Sequence, residues 1–509
     1  MRSVQDPQRS FGQIDIAEIQ LDSKSRDDIP AILKGLQQIY TTPKLCEEVF
    51  DILQQVIPKR RGDGLSEQER EQSASSNHGR PGMEQWTILV LGALRLGLNT
   101  DYDRIHELAN NHSTIRQMLG HSLWFDDKHY ALQTIKDNLM LFTPELLDQI
   151  NQAVVKAGHA LIEGSCGRKA QPKRLRGRCD SFVVETHVHF PTDINLLYDA
   201  VRKAIEESAD LAEQYELPGW RQYKHSIKQF KRQYRIIQKL KTSKSQDKVK
   251  KQQREQEIEL AHIRYIDRAM TWIEKTEETL KQAQQCKCLA FETQLLAQYQ
   301  AYAHLLMDQI HRRVILGEKI PHAEKIFSIF QPHTEWINKG KAGVPVELGL
   351  RVCIMEDQHQ FILHHQVMEQ LTDDKVAVDM VVESKKRFPE LVLASFDKGF
   401  HSQQNQKDLK EHLEHVILPK KGRLNEAEKA HQSSEVFKRN RQQHSAVESA
   451  INGLEQGGLD ICQDHGIEGF KRYVGLAVLS RNIKRLGTLV RQQEREEEKR
   501  KRGPYKKAA

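Results

Sequence analysis

The sequence predicts an α/β fold in which a mixed sheet is interrupted by a long helical insertion and preceded by an all-α segment. A β-rich stretch at 178–189 is followed by residues 196–335, which are highly charged and repeat apolar side chains at three- and four-residue steps. That spacing is typical of amphipathic helices. Strand patterns return at residue 344 and then alternate with helix patterns, which indicates a sheet covered by helices.

The composition favours a water-soluble, helix-rich protein with concentrated positive charge. The chain has 509 residues, 38% of them hydrophobic and 29% charged, so it is long enough for several domains. The net charge is only +7, because 77 basic residues nearly balance 70 acidic ones. Residues 221–251, however, contain twelve Lys or Arg and a single acid. Such a run suits a polyanionic partner, and its alternative interpretation is a solvated helix face.

Secreted and membrane-spanning classes are not expected. The seven cysteines show no paired Cys-x-x-Cys spacing, so we interpret them as free thiols in a reducing compartment. The N-terminal residues lack the apolar segment of a signal peptide. No run approaches the roughly 18 consecutive apolar residues that a membrane span requires. We therefore expect a cytoplasmic protein.

The N-terminal part is predicted to be helical. Residues 1–57 contain helix patterns, 58–82 read as a polar linker, and 83–165 form a compact helical domain. Within that domain, Asp101 begins one short helix and Ser113 caps a second. Two short helices joined by a tight turn fit a DNA-binding helix-turn-helix, and an ordinary helical hairpin is the alternative.

The predicted α/β domain extends over residues 170–490, and residues 491–509 form a basic tail. Apolar runs at 344–356 and 360–368 flank a three-residue turn, which predicts a β-hairpin. Strands and helices are then expected to alternate, with strands at 391–397 and 415–420 and helices at 372–387, 402–413, 434–456 and 467–487.

Three acidic residues carry the strongest functional signal. Asp397 ends the apolar run LVLASF, Asp180 lies on the first strand, and Glu448 lies on a late helix whose opposite face is apolar. Ligands collect where the strands of such sheets end. Three carboxylates brought together can hold two Mg²⁺ (or Mn²⁺) ions, which support phosphoryl transfer without a protein nucleophile. The alternatives are a turn-forming Asp397, an Asp180 paired with Arg176 or Arg178, and a solvated Glu448.

A competing metal site uses histidines. His187 and His189 are two residues apart on a strand, so their side chains point the same way and could bind Zn²⁺. Asp193 and the pair His364 and His365 could complete that site. The alternative is a structural role for these histidines.

Two groups of basic residues are candidate DNA contacts. Arg441 precedes Glu448 by two helical turns and His444 by one, where they could bind phosphates, and Lys398 follows Asp397. The second group lies in the helical insertion and consists of Lys231, Arg232, Arg235 and Lys239.

Three blocks give the chain a family resemblance. They are DSFVVETHVHFPTDINLLYDAVR at 180–202, SFDKGF at 395–400 and RNRQQHSAVESAINGLEQGGLD at 439–460. In these blocks the chain resembles DDE-type insertion-sequence transposases of the ISNCY-like group. Residues 79–110 also resemble the N-terminal helical domain of that group. The resemblance implies a ribonuclease H-like catalytic domain, with Asp180, Asp397 and Glu448 as the metal-binding catalytic triad.

The resemblance also implies a function and its partners. A transposase of this type binds double-stranded DNA, both the terminal inverted repeats of its element and the target, and cuts and joins it with divalent metal ions. It would act as a homodimer or higher oligomer on DNA, in the cytoplasm and associated with the nucleoid. Two other functions remain open, namely a DNA-binding transposase derivative without catalysis and a zinc-dependent hydrolase that uses His187 and His189.

Overall fold

The described chain folds as two compact units. The computed structural model describes residues 3–5, 11–55, 82–122, 128–165, 174–242, 248–286, 290–338 and 345–502. The sheet unit comprises Met1–His187 with Ile337–Ala509, and the insertion unit comprises Val188–Trp336. The expected linker at 58–82 lies outside the described residues apart from Gly82, and so does the expected tail beyond residue 502.

The described residues include seven strands, which form one mixed sheet. They are β1 (Leu175–Thr186), β2 (Glu335–Asn338), β3 (Val346–Asp357), β4 (Ile362–Met368), β5 (Leu391–Phe396), β6 (His415–Ile417) and β7 (Ile461–Cys462). The order is β2-β3-β1-β5-β6, with β4 paired to β3 and β7 paired to β1. Strand β3 is antiparallel to β1 and to β4, whereas β5 is parallel to β1 and to β6. The predicted mixed α/β class is therefore confirmed.

Helices surround this sheet. Before β1 the chain forms α1 (Ile29–Thr41), α2 (Pro43–Leu53), α3 (Gln85–Gly97), α4 (Tyr102–Asn111), α5 (Ser113–Met118), α6 (Leu132–Leu139) and α7 (Pro144–Ser165). After β4 it forms α12 (Asp373–Arg387), α13 (Gln403–His412), α14 (Glu426–Ser433), α15 (Glu435–His444), α16 (Ala446–Leu454) and α17 (Gly466–Arg502). The numbers α8 to α11 belong to the insertion unit.

The N-terminal helices share one hydrophobic core with the sheet. Buried residues of α1, α3, α7, the sheet and α17 belong to a single contiguous cluster. A buried amide network joins three of these elements: Asn482 of α17 donates to the side-chain oxygen of Asn151 at 2.7 Å and accepts from the backbone of Ile362 at 3.0 Å. Buried amides are stable only when they are hydrogen-bonded, so this network fixes how α7, β4 and α17 pack.

Helices α1 and α17 approach each other at backbone distance. A side chain at Gly487 would place its Cβ 1.9 Å from the carbonyl oxygen of Ala31, and one at Gly35 would lie 2.1 Å from that of Ile483. Neither position can accept a larger residue without separating the helices. Residues 491–502, which were expected to belong to a basic tail, continue α17 as a helix.

The insertion unit is a helical bundle with its own core. Its helices are α8 (Asp193–Gln214), α9 (Tyr223–Thr242), α10 (Lys248–Gln285) and α11 (Ala290–Ile310). The buried cluster of this unit is separate from that of the sheet unit. The rings of Tyr198, Phe230 and Tyr265 stack at its centre, and the buried indole of Trp220 donates to Thr279 at 2.8 Å. A helical segment of this length can therefore bury its apolar faces within itself.

Two local predictions were wrong. The helix expected at 434–456 is divided between α15 and α16 at Ser445, whose hydroxyl donates to the carbonyl of Gln442 at 2.9 Å. A serine that bonds back to the preceding turn competes with the helical hydrogen bonds and bends the helix. The cap of α5 is His112 rather than Ser113, because the His112 ring accepts from the backbone of Ile115.

The cysteines and the lengths of the helices can be compared with the sequence expectations in the part of the chain that the structure describes. Its five cysteines are free thiols, at positions Cys46, Cys179, Cys286, Cys353 and Cys462. Among the same residues, no helix combines the length and the apolar character needed to cross a bilayer.

Candidate active site

Asp180 and Asp397 are brought together by two neighbouring strands. The parallel register of β1 and β5 pairs Cys179 with Phe396; Asp180 is the next residue of β1, and Asp397 is the first residue after β5. Strand β5 ends at Phe396, whereas β1 continues to Thr186. Asp180 therefore lies where its parallel neighbour stops, at the carboxyl end of β5, as ligand-binding residues of such sheets commonly do.

Glu448 is presented by the first turn of α16. This helix packs against β1 through its buried face, formed by Val447, Ala450 and Leu454. Glu448 itself lies on the exposed side. Ser445 separates α15 from α16, and Glu448 lies close enough to Asp180 for its charge to raise the pKa of that carboxyl.

The carboxylates act on one another electrostatically. The pKa of Asp180 is raised to about 6, mainly by burial and also by the charges of Asp397, Asp373 and Glu448, while a hydrogen bond from the backbone of Ser181 opposes the shift. A carboxylate surrounded by like charge holds its proton more tightly unless a cation compensates. The structure therefore gathers four acidic side chains around one position on β1.

Asp373 is the member of this group that sequence reasoning missed. It begins α12, and its Oδ1 accepts a 2.7 Å hydrogen bond from the hydroxyl of Ser181. Its other oxygen lies 2.9 Å from where a Cβ of Gly399 would stand, so the glycine after Lys398 leaves space for this carboxylate. In the sequence, Asp373 is an ordinary acid in the first turn of a helix, and only the folded chain reveals its neighbours.

Of the two arginines considered as partners of Asp180, one is paired with another carboxylate and the other is exposed. The guanidinium of Arg178 lies 2.9 Å from the Glu356 carboxylate and donates to the carbonyl of Asp357 at 2.6 Å. The side chain of Arg176 is exposed on β1. Burial raises the pKa of Glu356 to about 7, while Arg178 and Arg481 oppose that shift. The Asp180 carboxylate thus faces other carboxylates.

The candidate DNA-binding residues near this group differ in charge. Lys398 and Arg441 are exposed. His444 is largely enclosed, and its Nδ1 lies 3.0 Å from the hydroxyl of Ser395 on β5. Burial lowers the pKa of His444, and the neighbouring carboxylate of Asp397 opposes this. His444 is therefore neutral near pH 7 and ties α15 to β5, whereas Arg441 offers a full positive charge.

The chemistry of the carboxylate group fits a hard divalent cation. Among the described residues, no three His, Cys, Asp or Glu side chains already stand in metal-binding arrangement. The donors around Asp180 are nonetheless all carboxylate oxygens, which Mg²⁺ and Mn²⁺ prefer, and their mutual repulsion is what a cation would relieve.

The histidines of the competing zinc site lie in different surroundings. His187 and His189 follow the end of β1 and are exposed, and His189 lies 3.5 Å from Asp199. His364 is enclosed beside Arg387, and burial lowers the pKa of both His364 and His365. The expected strand at 178–189 ends at Thr186, so strand alternation does not align His187 with His189.

The basic residues predicted in the insertion form one solvent-facing patch. Lys231, Arg232, Arg235 and Lys239 all lie on α9 and all are exposed. Lys231, Arg235 and Lys239 fall at four-residue steps, so they share one face of the helix. We refer to these four residues as the α9 basic face.

Comparison with known proteins gives no relative for this chain: no family model, no curated protein and no solved structure matches it.

Proposed function

We propose that this protein is a DDE-type DNA transposase that cleaves and joins phosphodiester bonds with divalent metal ions. The observation that carries the proposal is the register of β1 and β5, which puts Asp180 beside Asp397, with Glu448 near enough to raise the pKa of Asp180. The sequence motifs that resemble this class fall on the same three residues.

Each residue has a separate task in the proposed reaction. Asp180, Asp397 and Glu448 would hold Mg²⁺ or Mn²⁺, which when bound activates water or a DNA 3′-hydroxyl and stabilises the leaving oxygen. Lys398 and Arg441 are exposed cations that bind the flanking phosphates. His444 positions α15, because its ring contacts Ser395 two residues before Asp397.

The architecture supports the same proposal at the level of the fold. Strand β1 has antiparallel neighbours on one side and parallel strands on the other, which is compatible with a ribonuclease H-like catalytic domain. Helices α4 and α5 form two short helices around a tight turn at His112, as the proposed helix-turn-helix requires. We assign DNA-end recognition to this pair.

The proposed partner is double-stranded DNA, at the ends of the element and at the target. The α9 basic face supplies four exposed cations for the phosphate backbone. Two ends must be held together for joining, so we propose a homodimer or higher oligomer on DNA, associated with the nucleoid.

The test is cleavage of a plasmid that carries the coding region with its native flanking DNA. We expect the purified protein with Mg²⁺ to break this plasmid at paired inverted sequences beside the gene. Asp397→Asn should abolish the breaks and leave DNA affinity unchanged or higher, because it removes one negative charge near the DNA phosphates. Asp379→Asn, a change at an exposed aspartate of α12, is the matched control and should cut normally.

Each other result points to a different protein. Full cleavage by Asp397→Asn would refute the triad. Tight binding to the same ends by the wild-type chain, without breaks in Mg²⁺ or Mn²⁺, would identify a DNA-binding transposase derivative. Neither binding nor breaks, with stoichiometric zinc in the purified protein, would favour the hydrolase that uses His187 and His189.

A further inference from the structure

A cavity of about 600 Å³ lies in the sheet unit, apart from the three proposed metal ligands. Its walls come from the start of α1, the end of α3, the β3–β4 turn, the end of α16 and the middle of α17. The charged residues that line it are Arg26, Asp27, Asp28, Arg481, Lys484 and Arg485. Four cations thus face two acids across this space.

The pairing of these charges leaves two guanidinium groups incompletely compensated. Lys484 is paired with Asp28 at 2.8 Å. Arg485 donates through Nε to the carbonyl of His359 at 2.9 Å, a neutral acceptor. The Nη2 of Arg481 approaches Glu356 only to 3.7 Å, and the same carboxylate already contacts Arg178 at 2.9 Å. Positive charge therefore collects on one wall of the cavity.

The surroundings make this charge costly. Arg481 and Arg485 are one turn apart on α17, so their side chains emerge from the same face. Burial lowers the pKa of both groups. The charge of Asp357 opposes this at Arg485, and the charge of Arg481 adds to it, while Glu356 opposes it at both arginines. Glu356 has a pKa raised to about 7, so near neutral pH it carries only part of a compensating charge. An anion in the cavity would remove this imbalance.

Three glycines in the lining of the cavity leave space beside the backbone. A Cβ at Gly453 would stand 2.2 Å from an Nη of Arg481, so the absence of a side chain leaves room for the guanidinium beside α16. Gly97 and Gly457 also line the space. The planar donor group of Arg481 therefore has room at the cavity wall, and two guanidinium forks suit recognition of a tetrahedral oxyanion.

We propose that this cavity is a phosphate-binding site, in which Arg481 and Arg485 hold the phosphate oxygens and Arg26 closes the rim. The phosphate belongs either to the backbone of bound DNA or to a free phosphorylated small molecule. The site goes beyond the proposed function, because its lining contains none of Asp180, Asp397 or Glu448.

The test is titration of the full-length protein with inorganic pyrophosphate by isothermal calorimetry, without DNA or divalent metal. Arg485→Gln should weaken binding by about tenfold or more, because one of the two proposed phosphate-binding guanidiniums is lost. Gln456 is an exposed residue of the cavity lining, so its variants can be made without disturbing the core. Gln456→Glu should weaken binding about threefold and Gln456→Lys should strengthen it by a similar factor.

The control is Gln253→Glu, the same change at an exposed glutamine of α10 in the insertion unit, which should leave pyrophosphate binding as in the wild type. Absence of binding by the wild-type chain would overturn the proposal, and so would equal effects of Gln253→Glu and Gln456→Glu. Because this readout needs no cleavage, it stands or falls independently of transposase activity.

A second titration identifies the source of the phosphate. The cavity receives a backbone phosphate if two results hold. A saturating DNA duplex must block pyrophosphate binding in the wild type, and Gln456→Glu must also weaken the binding of that duplex. If pyrophosphate binds equally well with and without the duplex, the cavity receives a free phosphorylated molecule. Both results support a phosphate site.

Discussion

The hydroxyl of Ser181 donates a 2.7 Å hydrogen bond to Oδ1 of Asp373, and so joins β1 to the first turn of α12 beside Asp180. Ser181 is the residue directly after the proposed metal ligand, and its backbone N–H also donates to Asp180 at 2.8 Å. A fourth carboxylate is therefore held in place by the same residue that orients the first.

From this contact we expect Asp373 to position the metal site. Asp373→Asn should raise the Mn²⁺ concentration needed for half-maximal cleavage by about tenfold, because groups that orient metal ligands typically contribute that much to affinity. The maximal rate at saturating Mn²⁺ should fall much less. The measurement is the initial cleavage rate as a function of Mn²⁺ concentration.

The adjacent residue provides the matched control for this variant. Asp374 also lies in the first turn of α12, where it accepts a hydrogen bond from Thr372 at 2.6 Å. Asp374→Asn should leave the Mn²⁺ dependence unchanged. Equal shifts in the two variants would show that only the net charge of this turn matters, contrary to a positioning role.

The raised pKa of Asp180 predicts a pH-dependent cost to the metal-free fold. The folded pKa of about 6 lies above the ordinary value of 3.8, so the stability contributed by the protonated form is present below about pH 4 and is lost as the pH rises through 6. Without metal at pH 7.5, Asp180→Asn should therefore be more stable to unfolding than the wild type, by on the order of 2 kcal/mol. The asparagine can still accept from Ser181.

Chemical unfolding at pH 4.5 and pH 7.5 in the presence of a chelator measures this difference. The advantage of Asp180→Asn should shrink at the lower pH, and Mg²⁺ should stabilise only the wild type, since ligand binding stabilises the state that binds it. If the wild type is more stable than Asp180→Asn at pH 7.5 without metal, the carboxylates around Asp180 do not destabilise the metal-free fold as predicted.

Arg441 and His444 should contribute unequally to DNA binding. Arg441 is exposed, whereas burial lowers the pKa of His444 and keeps its ring neutral at pH 7.5. Arg441→Gln should weaken DNA affinity and flatten its salt dependence by about one unit of slope, while His444→Gln should change neither. Fluorescence anisotropy over a series of salt concentrations measures both. A similar loss of slope in His444→Gln would mean that this ring carries a proton on DNA.

The α9 basic face should account for part of the salt dependence. A double variant with glutamine at both Arg232 and Arg235 should make the plot of log affinity against log salt less steep by about two units of slope, if each arginine contacts one phosphate. The control replaces Arg264 and Lys281, two exposed cations of α10 in the same unit, with glutamine. If both double variants behave alike, the α9 basic face is only a solvated surface.

Local sequence patterns predicted the sheet and the strand end that carries Asp397. The apolar run LVLASF was sufficient to place β5, because a short buried strand has a distinctive composition. The hairpin of β3 and β4 was predicted equally well from its central turn. Asp373 escaped prediction because its partner, Ser181, is distant in sequence, and no local pattern encodes a contact of that range.

Packing between distant segments was also beyond local reasoning. Helix periodicity predicts a separate domain at residues 83–165, whereas α3 and α7 contribute to the hydrophobic core that also covers the sheet. Nothing in the α1 sequence distinguishes Gly35 from a weak helix position, yet the contact with Ile483 requires it. The break lies at Ser445, whose hydroxyl bonds back to the preceding turn, and the spacing of apolar residues does not reveal it.

The long β1–β3 ladder has a consequence for the order of folding. Glu185 pairs with Gly349, although the whole insertion unit lies between them in the chain. Closing so long a loop costs conformational entropy and slows folding, but a segment with its own core can collapse first and shorten the effective loop. During synthesis, Glu448 leaves the ribosome after Asp180 and Asp397, and only then can it join them. The nascent chain therefore lacks the complete carboxylate group until its last elements have emerged.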